Sequence, residues 1–233
     1  MNSHTYQTKR GQLEEYFDRT ASDAWAKLTS DAPVSGIRKT VRAGRDRMRQ
    51  TLLDWLPHDL HGRRILDAGC GTGALAVELA KRGAQVVAID LSPTLVQLAH
   101  ERMPAELTGK LEFISGDMLA PSLGHFDHVV CMDSMIHYEK HDMVQVLNRL
   151  TDRTAHSVVF TFAPSNALLQ TMIRVGRLFP RKDRAPFIEP VSENSLRSAI
   201  EQTDTTLRDW KINRTQKISS GFYTSQAMEV CKA

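Results

Sequence analysis

The sequence holds 233 residues, with 30 Lys and Arg against 27 Asp and Glu, a net charge of +3, and 41% hydrophobic residues. That length suits one large domain, or one domain with an added lid, with apolar content ordinary for a globular core. No stretch approaches the roughly 20 apolar residues needed to span a bilayer. Met1 to Gln12 is polar and has no apolar signal core, so the cytosol is the expected location. The three cysteines, Cys70, Cys131 and Cys231, lie far apart, which argues against both a disulfide framework and a zinc site.

In chain order, Thr5 to about Leu28 is weakly helical, with Leu13, Tyr16, Phe17 and Trp25 as apolar points. Pro33-Val34-Ser35 opens a stronger helix to about Trp55, whose apolar face includes Ile37, Val41, Met48, Leu52 and Trp55. Arg38, Arg42, Arg45 and Arg49 recur on it at steps of four, three and four and share one face. Strands are then expected near 63–68, 84–89, 110–115, 126–131 and 156–162, with helices near 73–82, 92–102 and 140–151. Ser92-Pro93 is a helix start, with Ser as N-cap and Pro in the first turn. Strands alternating with helices predict a parallel sheet covered on both faces, with ligands at the carboxyl ends of the strands. After Ala163-Pro164 comes an apolar helical run, Leu168 to Leu178, bearing Arg174 and Arg177. A helix near 192–202 and two strands, about 206–214 and 222–231, complete the pattern.

The chemistry-bearing feature is Ile65-Leu66-Asp67-Ala68-Gly69-Cys70-Gly71-Thr72-Gly73. An apolar strand ends in an acid and runs through three glycines into a helix. Such a backbone lets a ligand lie on main-chain N–H groups at a helix start. The spacing is not the G-x-G-x-x-G of dinucleotide folds, and the Lys and Ser/Thr of a phosphate loop are missing. Asp90 ends the next apolar run, where a carboxylate can take both ribose hydroxyls, and Asp117 follows the run after that. This series resembles the class I S-adenosylmethionine-dependent methyltransferases. The resemblance implies an α/β, Rossmann-like seven-stranded sheet with an antiparallel last strand and helices on both faces. It also implies S-adenosyl-L-methionine as cofactor. Asp67, Gly69, Gly71 and Gly73 are then expected at its amino-acid end and Asp90 at its ribose, with Leu91 packing on the adenine. Asp117 is expected at the adenine amino group, Met118 on the ring, and Asp133 near the methionyl part.

Further segments resemble the magnesium-protoporphyrin IX O-methyltransferases of chlorophyll and bacteriochlorophyll biosynthesis, the bacterial form most closely. They are Tyr16-Phe17-Asp18 with Trp25, the block Val34 to Arg45, Asp133 to Tyr138, Phe160 to Pro164, Leu178-Phe179-Pro180 and Gly221-Phe222-Tyr223-Thr224-Ser225. Plant and cyanobacterial members tend to carry Trp-x-x-Ile-Tyr, whose tyrosine falls at Leu28-Thr29 here, leaving Tyr16 as the nearest aromatic hydroxyl. The resemblance implies methyl transfer to one porphyrin propionate, giving the monomethyl ester. It also makes a handover of porphyrin from a magnesium-chelatase subunit an expected partnership.

A propionate, with pKa near 4–5, is already an anion at neutral pH, so catalysis should be mainly positioning. His137, just past strand four, is the candidate to orient the acceptor or take a proton, with Tyr16 as a second catalytic candidate. Arg38, Arg42, Arg45, Arg174 and Arg177 are candidate propionate binders on an apolar, mobile lid. The same residues also suit a solvated basic face, or contact with anionic lipid at a photosynthetic membrane. The expected division is an N-terminal helical arm or lid over 1–60 and a methyltransferase domain over 61–233, with a lid insertion at about 164–191. His137 and His141 lack a third ligand, so no protein-bound metal is expected; the magnesium belongs to the substrate. The Asn/Asp-Pro-Pro-Tyr/Phe loop of base methyltransferases is absent, so a nucleic-acid partner is not expected. The residues leave open a quinone or phenol methyltransferase, an RNA enzyme and a non-catalytic cofactor-binding module.

Overall fold

The structure, a computed structural model, describes residues 4–20, 29, 36–165 and 188–232. The N-terminal part comprises α1 (His4–Glu15), which runs into a π-helical turn (Tyr16–Thr20), and α2 (Gly36–Trp55). The alternating core follows as β1 (Arg64–Ala68), α3 (Ala74–Lys81), β2 (Gln85–Asp90), α4 (Pro93–Glu101), β3 (Lys110–Ser115) and β4 (Phe126–Cys131). It continues with α5 (Lys140–Thr151), β5 (Thr154–Phe162), α6 (Glu193–Glu201), β6 (Trp210–Ser220) and β7 (Tyr223–Lys232). The seven strands form one sheet in the order β3-β2-β1-β4-β5-β7-β6. β7 runs antiparallel to both its neighbours, and β1 to β5 pair in parallel. Chain order reverses between β1 and β4, so the crevice for a ligand opens beyond the carboxyl ends of those two strands.

Helices cover both faces. Successive side chains of a strand point to opposite sides, so each strand feeds two cores. On one face Leu66, Val87 and Val129 pack with Tyr6 and Leu13 of α1, Leu147 of α5 and Leu196 of α6. On the other, Ile65, Val86 and Val130 pack with Met48 and Leu52 of α2, Leu79 of α3 and Val96 of α4. Met48 and Leu52 have no exposed surface, and truncating such a residue to Ala costs about 2–5 kcal/mol. α2 lies against β6 and β7, with Gly44 facing the ring of Tyr223. Of the arm expected over 1–60, α2 is therefore packed into the body of the domain, and α1 with the turn after it lies over the strand ends.

The expected strands and helices of the alternating core appear within two residues of their expected bounds, and Ser92 caps α4 by accepting from the N–H of Leu95 at 3.2 Å. The strand expected at 206–214 is displaced. Thr206–Asp209 is a 3-10 turn and the strand extends to Ser220. β6 is an edge strand carrying Lys211, Arg214 and Lys217, with a bulge between Ile212 and Arg214, and its polar sequence hides it from an apolar-run criterion. The expected helical insertion with Arg174 and Arg177, and the stretch Pro33–Ser35, lie outside the described residues.

Candidate active site

The chain leaves β1 through three glycines at positive φ: Gly69 at 86°, Gly71 at 54° and Gly73 at 81°. Two of them are also steric requirements. A Cβ on Gly69 would lie 2.3 Å from the Cβ of Ser134, and one on Gly73 would lie 2.6 Å from the ring of Phe113. The turn is pinned to β2: the N–H groups of Gly69 and Cys70 donate to the Ile89 carbonyl at 2.8 and 3.0 Å. The N–H of Gly71 donates to Asp90 Oδ2 at 2.8 Å, and Ser92 N–H to Asp90 Oδ1 at 3.0 Å. Beside the turn lies a cavity of about 440 Å³, within the range of small-molecule sites. Asp67, Gly69, Gly71, Gly73, Asp90, Leu91, Met118, Asp133 and His137 all line it.

Two buried atoms in this wall lack a hydrogen-bond partner among the described residues: Asp67 Oδ2 and Ser134 Oγ. Asp67 is 1% exposed, and burial, then the neighbouring charge of Asp90, pushes its carboxyl up to about 7. Burial also raises Asp90, against the lowering by the Ser92, Gly71 and Leu91 N–H groups. Buried polar groups are ordinarily paired, and an unmet one costs about 1–3 kcal/mol. An orphaned carboxylate oxygen and hydroxyl, facing a cavity edged by a helix N-terminus, suit a ligand with a cationic donor and a carboxylate. The residues present therefore fit the amino-acid end of S-adenosylmethionine.

Three expected site residues are not where the sequence put them. Asp117 does not line the cavity. Its carboxylate accepts from the Tyr6 hydroxyl at 2.8 Å, the Leu119 N–H at 2.9 Å and Arg10 at 3.0 Å, so α1 holds the acid expected to meet the adenine amino group. Tyr16 is also outside the lining. Tyr6, Leu13 and Phe17, at steps of seven and four, form the helical face turned inward, and Tyr16 falls one position off it, edge-on to Phe17. Arg38 is exposed and outside the lining, because α2 meets the cavity only from Arg42 onward. Arg42, Arg45 and Arg49 do reach the wall.

His137 lies on the 3-10 turn Met135–His137 after β4, is 7% exposed, and stands edge-on to Phe17 with centroids 5.9 Å apart. His141 is exposed and meets Gln145 at 2.9 Å, apart from that wall. Asp133 has φ 55° and a carboxylate ringed by donors: Arg45 at 2.5 Å, and Tyr223, Ser225 and Thr161 at 3.1, 3.3 and 3.3 Å. Its carboxylate therefore pairs with side chains of three elements, while the residue itself lines the cavity. Sequence reasoning missed Tyr6, Ser134 and Tyr223 as site residues; Ser134 and Tyr223 carried a signal, as parts of the Asp133–Tyr138 and Gly221–Ser225 segments, and Tyr6 carried none.

Residues 131–232 match a family model described as the C-terminus of magnesium-protoporphyrin IX methyltransferase, and residues 65–156 match a methyltransferase domain. The magnesium-protoporphyrin O-methyltransferase of Rhodobacter capsulatus is 48% identical over 225 residues, 96% of this chain and 97% of the relative. The chain belongs to the magnesium-protoporphyrin O-methyltransferase family. The Synechocystis magnesium-protoporphyrin O-methyltransferase is 28% identical over 95% of each chain. The crystal structure of magnesium protoporphyrin IX methyltransferase from Synechocystis with bound SAH superimposes with a TM-score of 0.83 at 26% identity, covering 97% of this chain and 100% of that one. The class I methyltransferase sheet with its antiparallel β7 is shared with that enzyme.

Proposed function

We propose that this protein transfers the methyl group of S-adenosylmethionine to a propionate carboxylate of magnesium-protoporphyrin IX, yielding the monomethyl ester in chlorophyll or bacteriochlorophyll synthesis. The observation that carries the reading is the 48% identity to the Rhodobacter capsulatus enzyme across nearly the whole of both chains. When bound, the cofactor supplies an electrophilic methyl group. Asp67, Ser134 and the Gly69–Gly73 turn hold its amino-acid end, Asp90 its ribose, and Leu91 and Met118 its adenine. Leu13 and Phe17 add apolar surface to the cavity wall, which favours exclusion of water.

An ionised propionate needs no strong base. The chain's work is to strip water from the acceptor and hold it in line, which supplies several kcal/mol (about 7–11 in favourable intramolecular cases). Arg42 and Arg45 receive the acceptor's carboxylates at the cavity wall. His137 orients the reacting carboxylate and takes its proton when the acid arrives protonated. Arg174 and Arg177 are proposed as further carboxylate binders. Porphyrin delivered by a magnesium-chelatase subunit is the proposed source of acceptor. A peripheral contact with an anionic membrane is the proposed location. It is supported by the exposed Ile37 on α2, beside Arg38 and Lys39, and by the exposed Phe222 in the turn after β6, the strand that carries Lys217. No helix among the described residues is long and apolar enough to cross a membrane.

The test is incubation with S-adenosylmethionine and magnesium-protoporphyrin IX, followed by mass analysis. A monomethyl ester is expected. Absence of any ester, in protein that calorimetry shows to bind S-adenosylhomocysteine, would remove the reading.

A further inference from the structure

Asp133 stands at a junction of α2, β5 and β7. Its Oδ2 accepts from Arg45 Nη1 at 2.5 Å, and its Oδ1 accepts from the Tyr223 hydroxyl at 3.1 Å and from Ser225 and Thr161 at 3.3 Å each. Its own N–H donates to Thr161 Oγ1 at 2.7 Å, fixing the residue in a left-handed conformation. The Asp133 side chain is only 5% exposed and that of Arg45 18%. Tyr223 in turn packs directly against α2: a Cβ on Gly44 would lie 2.5 Å from its ring. Burial, then the charge of Asp133, pushes its phenol up, which keeps the hydroxyl a donor.

A cation whose task were merely to be soluble would not need three hydroxyls ordering its counter-ion. A guanidinium has five donors in a rigid fork, so holding one nitrogen on an ordered carboxylate restricts where the others can point. Arg45 lines the cavity together with His137, the candidate for acceptor alignment. Asp133 also offsets part of its charge, so attraction at a distance is weakened and geometry becomes the main means of recognition.

We propose that Asp133, Tyr223 and Ser225 are positioning residues that lock Arg45 as a carboxylate receptor on the cavity wall. The inference rests on the functional reading above. Two carboxylates meet this cavity under that reading: a propionate of the acceptor and the amino-acid carboxylate of the cofactor. Both have the chemistry the receptor takes.

The experiment compares the wild-type protein with Arg45→Lys, Tyr223→Phe and the double variant. Tyr223→Phe keeps the ring against Gly44 and removes only the hydroxyl. Thermal melting confirms that each variant is folded, and Ser225→Ala substitutes for Tyr223→Phe should the latter melt early. Binding of S-adenosylhomocysteine, of magnesium-protoporphyrin IX and of its dimethyl ester, which has no free carboxylate, is measured alongside kcat and KM. Expected is a rise of about tenfold in Kd or KM for one carboxylate ligand, the scale of one charge-assisted hydrogen bond, with kcat at saturation changed less than about twofold. The double variant should be no worse than Arg45→Lys alone, because both changes break one unit.

A rise confined to the free-acid porphyrin, sparing the dimethyl ester, assigns the receptor to the propionate. A rise confined to S-adenosylhomocysteine assigns it to the cofactor. Unchanged binding of both ligands, or strictly additive effects in the double variant, overturns the proposal. Because binding is read separately from turnover, a protein that makes no ester defeats the functional reading without deciding this one.

Discussion

The pH dependence of cofactor binding follows from Asp67. Its carboxyl is pushed from 3.8 up to about 7 because it is fully buried beside Asp90, and its Oδ2 has no partner among the described residues. A cationic amine arriving there favours the ionised form. Below pH 7 the unliganded site must first lose a proton, so affinity should fall about tenfold for each unit of pH from 7 to 5. The ligand's own α-amino group titrates near 8, so affinity should crest between those values. Stability has the opposite sign in the unliganded protein. The folded pKa lies above the unfolded one, so ionising Asp67 opposes folding. That cost is absent below about pH 4, grows as pH rises to about 7, and then levels. Asp67→Asn should therefore melt higher than wild type at pH 7.5 without ligand and match it at pH 4. The same variant should bind S-adenosylhomocysteine about 10- to 150-fold more weakly at pH 7.5. Calorimetry from pH 5.5 to 8, in buffers of differing ionisation enthalpy, reads both affinity and proton release. A flat affinity across that range, or the same slope in Asp67→Asn, would refute the reasoning.

Asp90→Asn should weaken S-adenosylhomocysteine binding by a similar factor, with some loss of melting temperature, since Asp90 also holds the N–H groups of Gly71 and Ser92; unchanged affinity in calorimetry removes the ribose role. His137→Gln should lower kcat, by about 10²–10⁴-fold if it takes a proton and by less if it only orients, with cofactor affinity nearly constant. Equal kcat in both proteins returns His137 to a packing role. Gly69→Ala should abolish cofactor binding, because its Cβ would strike Ser134, whereas Gly62→Ala, at φ 72° with nothing within 4 Å, should cost only backbone strain of about 1–3 kcal/mol and leave affinity intact. Like behaviour of the two variants in melting and calorimetry would contradict the close-approach argument.

Much of the fold was legible along the chain because its signals are local. Apolar runs ending in Asp67 and Asp90, the spacing of the glycines and the Ser92-Pro93 cap each depend on neighbours a few residues away, and each landed where expected. The polar edge strand β6 did not, because its pairing with β7 is carried by backbone and leaves little apolar pattern. The site was legible in residue type more than in partnership. An arginine at 45 and an aspartate at 133 are both readable, but their pairing spans 88 positions, and that of Tyr223 with Asp133 spans 90. Helix phase likewise decided between Tyr16 and Phe17, and α1 reached across 111 positions to take Asp117 away from the cavity. The sequence by itself determined the backbone of the glycine turn, because conformational requirements such as a positive φ are written in single residues. Only the tertiary structure decided which charges face one another, because the energy of a charge depends on its burial and on partners that the chain brings together in space.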